Sequence, residues 1–178
     1  MIKAVNCITL KKQVGLLFLM IAALISCEEP LAVYNHSSPV FSVVYPAKWY
    51  RSRSLLTDDV FGVTGADGYT SLVINVSYET EYGEESASRD CILALQKMYP
   101  GSFRHKVLLL KGITLEDGTK AIEVLVSCKL EKEMIFLVSS NVVAHIGTSV
   151  VMVTGATLAH NSFDDIIAVT HSLKFEKR

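Results

Sequence analysis

KVLLLKGITLEDGTKAIEVLVSCKLEKEMIFLVSSNVVAHIGTSVVMVTG, residues 106–155, is the stretch that decides the fold. It holds four apolar segments rich in β-branched residues: Lys106 to Leu115, Thr119 to Leu130, Glu133 to Ala144 and Thr148 to Gly155. The loops Glu116-Asp117-Gly118 and Ala144-His145-Ile146-Gly147 are short, polar or glycine-containing, and suited to reversing a chain between neighbouring strands. Four antiparallel strands in succession are the prediction. Several of them are apolar on both faces, so the sheet needs cover on each side.

Working outward, that cover is found on both flanks. Upstream, Glu84 and Glu85 stand where a helix macrodipole favours acids, and Ala87, Cys91, Ala94, Leu95 and Met98 fall on one helical face before Pro100-Gly101. Downstream, Ser162 followed by Asp165 resembles a helix-start box and opens a helix near 162–171. Further strands precede the first helix. Leu72, Ile74, Val76 and Tyr78 alternate with Asn75, Ser77 and Glu79, Val60 to Thr64 forms another strand, and Asp67-Gly68 marks a turn. Phe41, Val43 and Tyr45 alternate with Ser42 and Val44 up to Pro46, which stops the strand. The fold class is α+β, an antiparallel sheet of about six to seven strands between helices.

Half of the 178 residues are hydrophobic and prolines and glycines are few, which describes a folded domain plus a targeting segment and not a disordered chain. The net charge of −1 conceals an asymmetry. Lys3, Lys11 and Lys12 are the only charges before Cys27, so the remainder carries about −4. No basic stripe is present, and nucleic acid is excluded as an expected partner.

Val14 to Ile25, VGLLFLMIAALI, follows the lysines without a charge. It is shorter than the roughly 20 residues a membrane span needs but matches a signal-peptide core. Leu24-Ile25-Ser26-Cys27 then resembles the lipobox of bacterial lipoproteins. That resemblance implies a signal peptide over 1–26, recognition by the signal peptidase through Leu24, Ile25 and the small Ser26, and lipid attached to the Cys27 thiol. More than one acyl chain makes such anchoring stable. Glu28 in place of Asp after the cysteine implies, by the same resemblance, the outer membrane over the inner one, with the domain facing the periplasm. Residues 27–39, with two prolines and no periodicity, read as a lipidated tether, and 40–178 as the domain.

Phe41-Ser-Val-Val-Tyr-Pro46 with Trp49, then Asp117-Gly-Thr119 before a long apolar strand, and Ser172-Leu-Lys-Phe175 at the close occur in the order found in PsbP-like domains. The resemblance spans about Val40 to Phe175. It implies an antiparallel sheet between helices, in a family that includes extrinsic subunits of photosystem II and poorly characterised bacterial lipoproteins. It further implies a role in stabilising assemblies or binding partners, without catalysis. No residue here matches a photosystem role.

Of the four cysteines, Cys7 leaves with the signal and Cys27 takes lipid. Cys91 and Cys128 remain as a candidate disulfide in an oxidising compartment, or as two separate buried thiols. Cys128 shares a strand face with Ile122, Val124, Val126 and Leu130, so the pair can meet only if the first helix covers that face. His36, His105, His145, His160 and His171 lack ligand spacing, and His145 and His160 read as solvated residues. Asp58-Asp59, Glu84-Glu85 and Asp164-Asp165 are adjacent pairs whose side chains diverge, and two of them suit helix first turns. No phosphate loop, nucleophile elbow, zinc-protease helix or dinucleotide fingerprint occurs. No cofactor, metal or catalytic residue is therefore expected. Phe41 and Trp49 are assigned to the core, leaving Tyr50, Arg51 and Arg53 as the candidate contact patch.

The expected function is that of a membrane-anchored lipoprotein that binds or stabilises an envelope protein assembly. The alternative is a small-ligand or metal carrier or sensor with a cavity between sheet and helix.

Overall fold

The computed structural model describes residues 29–52, 59–131, 135–159, 161 and 163–176. The chain divides after Pro30, and the elements below belong to the unit Leu31–Arg178. Four long strands, β6 (Ser102–Thr114), β7 (Lys120–Leu130), β8 (Ile135–Ile146) and β9 (Ser149–Leu158), form the antiparallel meander that the apolar segments imply. The last of them returns to pair with β5 (Ser71–Tyr78), which continues through β4 (Asp59–Thr64) to the two-residue β3 (Tyr50–Arg51). A seven-stranded antiparallel sheet results, in the order β3-β4-β5-β9-β8-β7-β6.

Helix α1 (Glu84–Met98) joins β5, in the middle of this sheet, to β6 at its far edge, and so has to cross one face. Ala87, Cys91, Leu95 and Met98 pack there on Val73, Val124, Val126, Val143, Val150 and Ala156. Helix α2 (Phe163–His171) covers the other face through Ile166 and Val169. It lies so close that a Cβ built on Gly155 would stand 2.7 Å from the Ile166 side chain. Ser162, read as the start of this helix, lies outside the described residues, whereas Asp164 and Asp165 occupy the first turn as expected.

The larger departure from expectation is a second sheet. Residues 27–39 read as a tether, yet Leu31–Ser37 is strand β1, paired antiparallel along its whole length with β2 (Val40–Pro46). A short β10 (Lys174–Phe175) pairs with the other side of β2. This three-stranded sheet shares the α2 face, with Phe41 and Val43 buried in one cluster with Phe61, Leu72, Ile74, Val151 and Val153. β2 is thus a strand of the covering layer and not of the main sheet. The cause lies on the inner side of β1, where the Tyr34 ring stacks on Phe61 at 4.2 Å and meets Phe41 at 6.2 Å. Aromatic burial of this kind, together with pairing to β2 along the whole strand, offsets part of the cost of ordering it.

Candidate functional site

Leu24, Ile25, Ser26 and Cys27 lie outside the described residues. Among the described residues, no helix is long and apolar enough to cross a membrane.

The aromatic assignments separate as expected. Phe41 and Trp49 are buried, whereas Tyr50 is 54% exposed beside the exposed Arg51. Both exposed residues sit on β3, at the edge of the larger sheet, and the Arg51 guanidinium lies 6.0 Å over the Phe61 ring. Arg53 lies outside the described residues.

Helix α1 does cover the face that carries Cys128, but the two domain cysteines are free in the structure. Cys91 packs beside Met152 with sulfur atoms 3.9 Å apart, while Cys128 belongs to a separate cluster with Leu137 and Leu158. Of the two readings open from the sequence, a disulfide or two separate buried thiols, the structure has the second. Burial pushes the Cys128 thiol up to about 11 and raises Cys91 further out of the titrating range.

The carboxylate pairs play local roles. Glu84 and Glu85 fill the first turn of α1, and Asp59 accepts a hydrogen bond from Asn75 Nδ2 at 3.1 Å. Asp58 lies outside the described residues. His145 is half-buried rather than fully solvated, its Nε2 3.0 Å from the carbonyl of Glu79, and His160 lies outside the described residues. His36 is held between Tyr34 Oη and the carbonyl of Ser38, each at 3.0 Å. Among the described residues, no group of three His, Cys, Asp or Glu side chains is placed to hold a metal ion.

One polar centre escapes the sequence reading. Glu123, on β7 and only 3% exposed, lies 2.8 Å from His171 Nε2 on α2 and 2.8 Å from Lys111 Nζ on β6. Burial raises its carboxyl, but the hydrogen bonds and charges of Lys111 and His171 prevail and hold it below the usual carboxylate value. The available signal was a lone acid in the otherwise apolar Ala-Ile-Glu-Val-Leu-Val, a residue type rarely buried without a partner.

Between α1 and the β5–β9 side of the sheet is a cavity of about 160 Å³ that opens to solvent. Asn75, Tyr82, Asp90, Lys97 and Met152 line it. Tyr82 donates a hydrogen bond to Asp90 at 3.1 Å, and burial together with that carboxylate raises its phenol. The opening suits a group of a few atoms with both polar and apolar parts.

No family model matches the sequence, and no curated protein does. Among solved structures, 26 chains match. The solution structure of cyanobacterial PsbP (CyanoP) from Synechocystis sp. PCC 6803 superposes with a TM-score of 0.62 at 11% identity, over 85% of this chain and 95% of that one. The domain has the PsbP-like fold. A protein from Bacteroides thetaiotaomicron VPI-5482 superposes at a TM-score of 0.51 and 13% identity, over 78% of this chain and 46% of that one. Within this PsbP-like domain, Asp117 of the Asp-Gly-Thr turn accepts the amide of Thr119 at 2.8 Å and that of Phe175 at 2.5 Å. Two of the stretches that carried the family resemblance are thereby tied to each other.

Proposed function

We propose that this chain is a lipid-anchored accessory protein of the bacterial envelope, attached through Cys27, which binds or stabilises a protein assembly and carries out no catalysis. The observation that carries this reading is the PsbP-like fold, which covers 85% of the chain, and it is supported by the sequence Leu24 to Cys27, which resembles a lipobox and precedes β1 in the chain. The proposed location is the periplasmic side, on the outer membrane in preference to the inner. Tethering would keep the domain at high effective concentration near membrane-bound partners. Tyr50 and Arg51 on the sheet edge offer the side-chain types that anchor interfaces.

The test is mass spectrometry of the protein taken from membranes, comparing the native chain with Cys27→Ala, followed by cross-linking from a photoreactive residue at position 50. Loss of residues 1–26 with gain of acyl mass in the native chain alone, and a recurrent cross-linked envelope protein, is the expected outcome. Native and variant chains that both keep an unmodified signal overturn the anchor, and an empty cross-link pattern overturns the partner.

The cavity beneath α1 supports a second reading, a small-ligand carrier. Native mass spectrometry separates the two readings. A retained small-molecule mass that is lost in Tyr82→Phe/Asp90→Asn favours the carrier, and a clean apo mass favours the accessory role.

A further inference from the structure

The outward face of the β1–β2 hairpin changes character along its length. In an antiparallel pair, directly opposed residues project from the same side. Leu31 opposes Pro46, which is buried, and Val33 opposes the half-buried Val44, so the exposed apolar part of the outer face where β1 begins is Leu31 and Val33. Farther along, Asn35 opposes Ser42, with Lys174 of β10 on the other side of Ser42, and Ser37 opposes the half-buried Val40, so the same face becomes mainly polar. Leu31 is 65% exposed and Val33 54% exposed. Asn35 and Ser37 are the residue types expected facing water, whereas Leu31 and Val33 are not.

The apolar end is also the end nearest Cys27. Three residues, Glu28 to Pro30, separate Cys27 from Leu31, and an extended chain advances at most about 3.6 Å for each of the four steps, so Leu31 stays within about 14 Å of the cysteine α-carbon. Headgroup regions occupy several Å on each side of the hydrocarbon core. A tether this short leaves little room for water between the start of β1 and the lipid. Nearby, the Trp49 backbone N–H closes a turn onto the Pro46 carbonyl at 3.0 Å with its ring in the core, and the exposed Tyr50 and Arg51 that follow are side-chain types that suit an interface.

We infer that the β1 entry face, the exposed Leu31 and Val33 with the half-buried Val44 beside them, rests on the lipid surface and sets the orientation of the domain on the membrane. This rests on lipid attachment at Cys27. The occupant is the lipid of the same leaflet that holds the acyl chains, and the polar end carrying Asn35, Ser42 and Lys174 points away from it.

Trp49 is the only tryptophan in the chain; its backbone bonds the Pro46 carbonyl and its ring is buried in the core behind this hairpin, so it reports quencher brought up against the domain at this end. Full-length chain is expressed and the processed protein purified from membranes, its acyl mass is verified, and it is placed in phosphatidylethanolamine–phosphatidylcholine vesicles whose acyl chains are brominated close to the headgroup. Quenching of Trp49 is expected in the native protein. A several-fold weaker effect is expected in Leu31→Asn/Val33→Thr, with acyl mass and circular dichroism unchanged. Acyl mass with Trp49 unquenched, or quenched equally in native and variant, overturns the lipid contact while leaving the anchor intact; a protein contact on this face gives the first of these results. Absence of acyl mass overturns the anchor, and the lipid contact with it.

Discussion

Glu123 and His171 stand 48 positions apart in sequence, yet their side chains meet at 2.8 Å where the last turn of α2 reaches the sheet. Lys111 completes the group from the neighbouring strand β6. The contact fixes the end of α2 against β7 with charged hydrogen bonds, where apolar packing gives way to the chain's final turn.

Glu123→Gln is expected to cost about 1.5–3 kcal/mol at pH 7, the usual range for hydrogen bonds to a charged group. Because the folded carboxyl lies below its unfolded value of about 4.3, this contribution is complete above that value and disappears as pH falls through the folded one. Urea unfolding at a series of pH values checks this. The native and variant curves should converge in acid, and a constant gap would disprove the assignment.

Gly155→Ala places a methyl group 2.7 Å from Ile166 Cγ2 and 3.1 Å from Thr170 Cγ2. The helix must move or the side chains must leave their rotamers, at about 1–3 kcal/mol. Chemical denaturation measures the loss, and an unchanged midpoint would show that α2 shifts freely.

Thr154 is buried beneath α1, and its hydroxyl has no partner among the described residues. Thr154→Val keeps the shape and removes an unsatisfied polar group, so stability should rise by about 1 kcal/mol. A loss of similar size in thermal unfolding would reveal a partner for that hydroxyl.

Cys91 and Cys128, raised by burial, should resist a thiol reagent in the folded domain and both react after denaturation. The mass of the domain should be the same before and after reduction. A gain of two hydrogens on reduction would instead establish a bridge.

The main sheet was legible because β6 to β9 are long, apolar and separated by short loops, which leaves few alternatives. Helix α1 was equally plain from its apolar face and first-turn acids. Strand β1 was not. Its alternation of Ala32, Tyr34 and His36 against Leu31, Val33, Asn35 and Ser37 mixes polar and apolar residues on both sides, and Pro30 and Pro39 bracket it like a linker. Pairing with β2 and the packing of Tyr34 on Phe41 and Phe61 make those residues a strand. The pairing of Glu123 with His171 was hidden for a related reason, since it depends on which face of β7 the last helix covers.

The edges of the larger sheet determine how copies of the domain tolerate crowding. At one edge β3 offers only two residues, and at the other β6 breaks register between Phe103 and Lys106 and again between Val107 and Leu109, with Arg104 at a φ of 54°. Bulges of this kind twist an edge away from a flat template. Strand exchange or fibril growth thus finds no regular starting point there, and among the described residues β1 is left as the one long, unbroken edge.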